Sequence, residues 1–340
     1  MRLGFENVAV MSIAHAEAPI RLESSQIEDR LESTFKRIGV RKGLLQGLSG
    51  IFARRMWPEG VMPSDAATLA AKKAIDMAGV DPKRLGVLVN TSVCRDFIEP
   101  STACLVHGNL GLPPECMNFD IGNACLGFLN GMDLVGNMIE RGQIDYGLIV
   151  DGESSSHVVE QTIQRIMSPD CDEQTFRDNF ATLTLGSGGA AMVLCRKDLV
   201  ENPHHLVGSV SLAATEHNRL CQGQVDGMKT DTKKLLFAGI ELALQTLQKA
   251  KRDLDWSPEK LDHLVLHQVS KVHTEQLANT LGLSLDKVLA IYPEYGNIGP
   301  ASVPVVLSKL AESGRVEPGD RIALMGIGSG LNCTMTEIRW

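Results

Sequence analysis

Two parts of the chain carry the same succession of apolar and polar positions. Residues 81–93 (DPKRLGVLVNTSV) align without a gap with residues 257–269 (SPEKLDHLVLHQV), and each segment contains a continuous apolar run. Each run follows a segment in which apolar residues recur at helical spacing, 65–79 in the first part and 239–254 in the second. The pattern therefore predicts a helix followed by a buried strand, twice.

A second pair of similar segments extends this repeat. Residues 140–145 (ERGQID) precede the apolar run YGLIVDG, and residues 312–317 (ESGRVE) precede RIALMGIG. Continuous apolar runs are typical of parallel strands that helices cover on both faces. We therefore expect an α/β protein of two similar halves, 1–180 and 200–340. The polar stretch 168–180 predicts a lid-like excursion from the sheet, with an ordinary solvated face as the alternative.

Composition adds limits on where the protein works and what it binds. The chain has 340 residues, 44% hydrophobic and 22% charged, which is enough to bury a large core. No apolar run approaches the length of a membrane span and the N-terminus lacks a signal-peptide pattern, so we expect a cytoplasmic protein. The net charge of -8 disfavours general nucleic-acid binding, although a local basic patch stays open.

The cysteines form no CxxC pair and show no zinc-ligand spacing, so most should be reduced, buried and inert. Cys125 differs from the others. In FDIGNACLGFLNG (119–131) it stands between a predicted strand and a predicted helix. The N–H groups and macrodipole at a helix start lower the pKa of a thiol, so Cys125 is a candidate nucleophile. A buried structural cysteine is the alternative.

A nucleophilic thiol in acyl transfer needs neighbours that move protons and stabilise an oxyanion. His267 follows the apolar run HLVL, at the carboxyl end of a predicted parallel strand, where functional groups usually lie. Asn297, in the glycine-rich turn YGNIGPASVP, could reach a ligand; a residue chosen for turn geometry is the alternative. The remaining histidines lack such a setting and are interpreted as surface histidines or as histidines with satisfied hydrogen bonds: His15, His107, His157, His204, His205, His217, His263 and His273.

The stretches FDIGNACLGF, LVLHQVS and YGNIGPASVP, in this order, resemble the Cys-His-Asn condensing enzymes of the thiolase superfamily, on the ketoacyl synthase III side. The resemblance extends from about residue 53 to the C-terminal GIGSGLNCTM. It implies the duplicated five-layered αβαβα thiolase fold and a homodimer. It makes Cys125 the thiol that accepts an acyl group, and His267 with Asn297 the pair that polarises a second thioester carbonyl. It also implies an oxyanion hole formed by the backbone N–H groups of Cys125 and Ser329.

The segment GIFARRMW at 50–57 resembles the region that binds the adenine nucleotide end of coenzyme A. The candidates are Arg54, Arg55 and Trp57, because guanidinium groups suit phosphates and an indole can stack on adenine. Solvated cations on an ordinary loop are the alternative.

Glu99 departs from the ketoacyl synthase III pattern. It precedes Pro100 in CRDFIEPSTA, where those enzymes usually carry an aromatic residue that the dimer partner inserts at the active site. Condensation without loss of carbon dioxide needs a base to remove an α-proton, and a carboxylate could act as one. SVCRDFIEPSTA, HGNLGL and GNIGPASVPVVLSKL closely resemble OleA-type enzymes, which begin bacterial long-chain olefin biosynthesis. A helix-capping or surface carboxylate is the alternative for Glu99.

The resemblance therefore predicts a non-decarboxylative head-to-head Claisen condensation of two fatty acyl-CoA molecules to a 2-alkyl-3-oxoalkanoic acid, through an acyl-Cys125 intermediate. Two alternatives stay open: a ketoacyl synthase III that uses malonyl-acyl carrier protein, and an acyl-CoA hydrolase or acyl-binding protein. Glu99 counts against the first, and the net charge of -8 counts mildly against docking an acidic carrier. We expect no metal or other cofactor. The expected partners are acyl-CoA, a second copy with Glu99 crossing the interface, and downstream enzymes.

Overall fold

The computed structural model describes residues 2–340. Its strands, in chain order, are β1 Arg2–Gly4, β2 Val8–Glu17, β3 Ile20–Glu23, β4 Ala53–Met56, β5 Leu85–Asn90, β6 Met117–Asp120, β7 Tyr146–Glu153, β8 Gly188–Arg196, β9 His204–Ala213, β10 Cys221–Gln224, β11 Gly227–Thr230, β12 His263–Leu266, β13 Arg321–Gly328 and β14 Asn332–Arg339. Its α-helices are α1 Ser24–Arg30, α2 Glu32–Ile38, α3 Leu44–Ser49, α4 Pro63–Ala78, α5 Thr102–Leu110, α6 Gly127–Glu140, α7 Ser156–Met167, α8 Glu173–Asn179, α9 Thr232–Asp253, α10 Lys271–Leu281, α11 Tyr292–Tyr295 and α12 Ser302–Glu312.

The strand order repeats in the two parts of the chain. From β2 outward the neighbours are β8, β7, β5 and β6, and from β9 outward they are β14, β13 and β12. In both series the first two pairings are antiparallel and the next is parallel. β2 and β9 join the two series through Ala9 and Val10. The helices and strands predicted for the repeat are confirmed as α4 and β5, and α9 and β12, while the limits 1–180 and 200–340 stay a prediction.

Both faces of the central strands are buried, because side chains along a strand alternate between its two faces. On β8, Met192 and Leu194 join a core cluster with α6 and α12, whereas Ala191 and Val193 join another with α4 and α5. On β13, alternate residues contact the α6 and α12 layer or the layer of α9 and α10. The layers therefore run helix, sheet, helix, sheet, helix, as predicted.

The ends of the outer helices follow ordinary capping rules. α4 begins at Pro63, where the carboxylate of Asp65 accepts the N–H of Met62 at 3.0 Å, and ends at Gly79 with a left-handed φ of 61°. α9 begins after Asp231, whose side chain accepts the N–H of Lys234 at 3.1 Å.

None of the described helices is both long and apolar enough to span a bilayer.

A fourth cluster of buried residues lies outside the five layers. It contains Ile27, Phe35, Leu45, Ile163 and Phe176, which come from α1, α2, α3, α7 and α8. Most of the segment 168–180 forms α8, so the predicted excursion is a helix packed in this cluster. Side chains of α3, α7 and α8 line the large cavity described next.

Candidate active site

A cavity of about 2430 Å³ opens at the carboxyl ends of the central strands. Its wall contains Cys125, His267, Asn297 and Ser329, which are far apart in the sequence. The fold therefore brings together four of the predicted site residues. Glu99 is not part of this wall within the same chain.

Cys125 lies in one turn of 3-10 helix, Ala124–Leu126, immediately before α6. Ala124 has a positive φ of 46°, an uncommon conformation for a residue with a Cβ and one that costs about 1–3 kcal/mol. Gly127 lets α6 approach β5, because an added Cβ there would lie 2.4 Å from the carbonyl oxygen of Thr91. The predicted strand-to-helix position is confirmed, and this tight turn directs the thiol into the cavity.

The acid–base state of Cys125 differs from the expectation. The pKa of the thiol is raised to about 12, mainly by burial and to a smaller extent by the nearby Glu153, Cys221 and Asp151. A backbone N–H lowers the pKa but does not compensate. The predicted lowering by the helix start is therefore wrong for this structure, because desolvation of the thiolate outweighs the macrodipole. The thiol is protonated at neutral pH, so a base must accept its proton as it attacks.

His267 directly follows β12, as predicted, and its backbone N–H donates to the carbonyl of Met325 at 2.8 Å. Burial, and to a smaller extent the neighbouring His273, lower the pKa of this histidine to about 3. Its Nδ1 atom is buried with no hydrogen-bond partner among the described residues. The imidazole is therefore neutral at neutral pH and has one ring nitrogen to accept a proton and one N–H to donate.

The backbone around Asn297 is held on both sides. Its N–H donates to the carbonyl of Thr184 and its carbonyl accepts the N–H of Gly186, both at 2.9 Å. The Oδ1 atom accepts the N–H of Gly299 at 3.1 Å, which fixes the side-chain amide in the cavity wall. The NH₂ group of Asn297 remains as a donor for a ligand carbonyl.

Ser329 follows β13 in the loop beside Cys125. A Cβ added to the preceding Gly328 would lie 3.4 Å from the backbone nitrogen of Cys125 and 3.1 Å from the carbonyl oxygen of Asn123. The amide of Asn332 also donates to Asn123 Oδ1 at 3.2 Å, which ties the loop to the turn. The two backbone segments predicted to form an oxyanion hole are therefore adjacent.

Two carboxyl groups at the carboxyl end of β7 were missed by the sequence reasoning. Asp151 and Glu153 are both buried, and burial raises the pKa of Glu153 to about 7. Thr91 donates its hydroxyl to Asp151 at 2.6 Å. Glu153 lines the cavity. The available signal was the pair of carboxylates inside the otherwise apolar run YGLIVDGE, at the end of a predicted parallel strand.

His273 was also missed, and its interpretation as a surface histidine or as one with satisfied hydrogen bonds is wrong. It lies in the first turn of α10, where Ser270 Oγ accepts its backbone N–H at 3.2 Å. Its side chain lines the cavity, and burial lowers its pKa to about 4. Its Nδ1 atom is buried without a partner among the described residues. His157, interpreted in the same way, also lines the cavity.

Glu99 lies on an exposed turn. The side chain that caps α5 belongs to Ser101, whose Oγ accepts the N–H of Cys104 at 3.2 Å, so Glu99 is not the helix cap. Its neighbours Phe97 and Ile98 are large apolar residues that are also exposed, Ile98 to 92%. This turn carries apolar surface together with a carboxylate.

Two family models match the chain. The model described as 3-oxoacyl-[acyl-carrier-protein] synthase III matches residues 119–215, and the model of its C-terminal part matches residues 252–340. These two regions contain Cys125, His267, Asn297 and Ser329.

Full-length relatives narrow the family further. The acyl-CoA:acyl-CoA alkyltransferase of Xanthomonas campestris pv. campestris is 52% identical over 99% of this chain and 99% of its own length. The protein of the same name from Shewanella oneidensis is 37% identical, again over 99% of both chains. The chain belongs to the acyl-CoA:acyl-CoA alkyltransferase family.

Solved structures of another alkyltransferase share its fold. Cerulenin-bound OleA from Xanthomonas campestris superposes with a TM-score of 0.98 at 51% identity, covering 99% of this chain and 98% of that one. An OleA variant with bound lauric acid and lauroyl-CoA has a TM-score of 0.97 at 51% identity, covering 99% and 100%. The predicted thiolase-type fold and the resemblance to OleA-type enzymes are thereby confirmed.

In this chain, Arg54 and Trp57 have internal partners. Arg54 is fully buried and donates to Ser24 Oγ at 3.1 Å, while the indole N–H of Trp57 donates to the carbonyl of Glu153 at 3.1 Å. Arg55 pairs with Glu17 at 3.2 Å, and none of the three lines the large cavity. The burial of Arg54 and Trp57 counts against a direct contact of these two side chains with a nucleotide, whereas Arg55 is only partly buried. Binding of coenzyme A by these residues stays a prediction.

The cysteines of this chain are free thiols, and the described residues contain no cluster of His, Cys, Asp and Glu side chains able to hold a metal ion. Besides Cys125, two of them, Cys94 and Cys221, line the cavity. Cys104 is exposed and lies outside the cavity wall, which makes it useful as a control.

Proposed function

We propose that this enzyme joins two fatty acyl-CoA molecules head to head, without decarboxylation, to give a 2-alkyl-3-oxoalkanoic acid. The observation that carries the proposal is one large cavity that holds a thiol, a neutral imidazole and a side-chain amide. The alkyltransferase name of the relatives and the lauroyl-CoA bound to a similar structure support acyl-CoA as the substrate class. The volume of about 2430 Å³ leaves room for more than one acyl chain.

In the first half-reaction, the sulfur of Cys125 attacks the carbonyl carbon of one acyl-CoA. Its proton passes to a neutral base in the cavity and then to the departing sulfur of coenzyme A. The carbon–sulfur bond to coenzyme A breaks as the bond to Cys125 forms. The N–H groups of Cys125 and Ser329 stabilise the oxyanion, and losing one such donor typically slows a reaction by about 10²- to 10³-fold.

In the second half-reaction, a second acyl-CoA binds with its thioester carbonyl facing His267 and Asn297. Hydrogen bonds to that oxygen make the α-proton more acidic, and the partner subunit's Glu99 removes it. The carbanion attacks the acyl carbon on Cys125; a carbon–carbon bond forms and the thiolate leaves. Water then hydrolyses the remaining thioester, which releases coenzyme A and the 3-oxo acid.

The assignment of three residues is supported by variants of the Xanthomonas protein. Solved structures of that OleA carry replacements of one glutamate, one cysteine and one histidine. The three replaced residues have the same mutual spacings in their chain as Glu99, Cys125 and His267 have here. We infer that these are corresponding positions.

The exposed turn that carries Glu99 supports a homodimer. Val93, Phe97 and Ile98 are exposed in the single chain although they are large and apolar. Exposed apolar residues that cluster in this way mark a protein interface or a ligand-binding groove, and all three also line the cavity. A second copy that covered them would receive Glu99 close to its own cavity, whereas Glu99 is absent from the cavity wall of its own chain.

A ketoacyl synthase III activity is the second candidate, because the family models and a relative 26% identical over 91% of this chain carry that name. One experiment separates the candidates. The purified enzyme receives a single long-chain acyl-CoA, and the extract is analysed by mass spectrometry. A coupled product formed from this substrate alone supports the condensation. Coupling that requires malonyl-acyl carrier protein supports the second candidate, and release of only the free fatty acid indicates a hydrolase.

A further inference from the structure

We propose that Glu153 is a positioning residue that acts on the active site of the partner subunit by holding the turn that carries Glu99. This inference rests on the proposed function, in which Glu99 serves the partner. We call residues 93–101 the arm. Glu153 lies outside the arm, in the wall of its own chain's cavity.

The arm is held at both of its ends: by Glu153 and Asp96 on the β5 side, and on the other side at the start of α5, where Asp120 accepts the N–H groups of Thr102 and Ala103. Glu153 Oε1 accepts the N–H of Val93 at 2.6 Å, and Oε2 accepts the N–H of Cys94 at 3.2 Å. Asp96 accepts both the N–H and the hydroxyl of Ser64, at 2.9 and 2.5 Å. The arm therefore leaves the sheet in a fixed direction, and the exposed Glu99 lies between its two anchored ends.

Glu153 is unusual among these anchors because it is only 4% exposed. A buried carboxyl group is costly unless hydrogen bonds compensate for the lost hydration. Among the described residues, the hydrogen bonds of this side chain all go to the arm, to the backbone of Val93 and to the backbone and thiol of Cys94. The hydrogen bonds that compensate Glu153 for its lost hydration therefore all come from the arm.

An isosteric substitution would disturb this anchor without leaving a hole. In Glu153→Gln, one oxygen still accepts an N–H, but the other backbone N–H faces an NH₂ group, since the two donors use different oxygens. The base of the arm must then shift, and the shift is carried to Glu99. A displacement of about 1 Å at a reacting group can cost up to about 10²-fold in rate.

Heterodimers can assign this effect to one of the two sites. The first heterodimer pairs a Cys125→Ser/Glu153→Gln chain with a wild-type chain. Its one remaining Cys125 thiol lies in the wild-type chain and receives Glu99 from the arm of the double variant. The second heterodimer pairs a Glu153→Gln chain with a Cys125→Ser chain. Its one remaining Cys125 thiol lies in the Glu153→Gln chain and receives Glu99 from the unaltered arm of the other chain. For each heterodimer the two chains are co-expressed with different affinity tags, and the complex is purified on one tag and then on the other.

We expect coupling in the first heterodimer to fall by about 10- to 10²-fold relative to a wild-type/Cys125→Ser heterodimer, while the release of coenzyme A from the first acylation is unchanged. The second heterodimer should retain most of the reference rate. Glu259→Gln, an exposed change of the same type, is the matched control and should alter neither.

Three results would overturn the proposal: equal coupling in both heterodimers and the reference, an equal loss in both, or a loss confined to the second. These results differ from a failure of the proposed function. If the wild-type enzyme and the reference heterodimer form no coupled product at all, it is the condensation that is wrong and not the role of Glu153.

Discussion

At the scale of single residues, burial controls the charge of the groups around the cavity. It raises the pKa of Cys125 to about 12 and lowers the pKa of His267 to about 3. The resting pair is therefore a neutral thiol and a neutral imidazole, not a thiolate and an imidazolium. Proton transfer accompanies the attack on substrate, which makes the neighbours of Cys125 as important as the thiol itself.

Replacing the thiol tests the nucleophile directly. Cys125→Ser should form no acyl adduct when incubated with long-chain acyl-CoA, because a hydroxyl is a far weaker nucleophile at this site. Intact-protein mass spectrometry measures the adduct. Cys104→Ser, at an exposed cysteine outside the cavity, should acylate at the wild-type rate. An adduct of normal abundance on the Cys125 variant would exclude the assignment.

The pair His267 and Asn297 should matter more for the second substrate than for the first. His267→Ala and Asn297→Ala should retain part of the initial release of coenzyme A while losing coupled product by at least about 10²-fold. Rapid-quench measurement of coenzyme A and product separates the two steps. Complete loss of the initial release, with later steps intact when pre-acylated enzyme is used, would reverse the assigned roles.

The buried histidines should make the fold sensitive to acid. The pKa of His273 is about 4 in the folded chain and about 6.5 when unfolded, so between these values the unfolded chain binds more protons. The free energy of unfolding should therefore fall as the pH decreases from about 6.5 to about 4. Thermal melts across this range should show a shallower dependence in His273→Gln than in wild type. Parallel curves would contradict the assignment.

At the scale of elements, the site depends on how closely α6 approaches β5. The contact between Gly127 and the carbonyl of Thr91 leaves no room for a Cβ. Because Gly127 is two residues after Cys125, this contact fixes the position of Cys125 relative to the end of β5. The neighbouring β13 loop, which carries Ser329, packs on the same turn through Gly328. A small displacement of α6 would thus move the thiol and one oxyanion donor together.

Gly127→Ala should expose this dependence. We expect slower acylation and a free energy of unfolding lower by about 1–3 kcal/mol, since the added methyl group must displace the helix. The matched control is Gly108→Ala in α5, where an added Cβ meets nothing within 4 Å. The control should be neutral or more stable by up to about 1 kcal/mol. Denaturant unfolding and coenzyme A release give both quantities, and identical behaviour of the two variants would contradict the packing argument.

At the scale of the whole molecule, the single chain holds a nucleophile without its proposed base. Glu99 is exposed and is absent from the wall of the cavity that contains Cys125, although residues 93–98 of the same arm line that cavity. A homodimer with crossed arms would complete two sites at once. The catalytic unit is then the pair of chains, although each chain folds around its own core.

Mixed dimers test that arrangement. Glu99→Ala homodimers should acylate Cys125 normally but couple about 10²- to 10⁴-fold more slowly, as expected for loss of a general base. Co-expression of Glu99→Ala with Cys125→Ser chains should restore part of the activity, because Glu99 of one chain then meets Cys125 of the other. A purified heterodimer with no recovery would refute the shared site, and a fully active Glu99→Ala homodimer would refute the base.

The sequence by itself determined the local elements and several site positions. Apolar periodicity predicted α4, β5, α9 and β12, because the face that a residue presents to the core is set by local spacing. The strand-to-helix junction at Cys125 and the strand end at His267 followed from the same pattern. Their roles came from resemblance to a family, and full-length relatives support that family.

Only the tertiary structure decided what surrounds these residues. Burial raises the pKa of Cys125 despite its position at a helix start. The packing of distant segments encloses Arg54 in the core and places His273 and Glu153 in the cavity wall. Each of these outcomes depends on segments distant in sequence, whose approach sets solvation and hydrogen bonding and leaves no trace in local periodicity. Desolvation is a property of the packed molecule, and for that reason the charge states of the site could not be read from the chain alone.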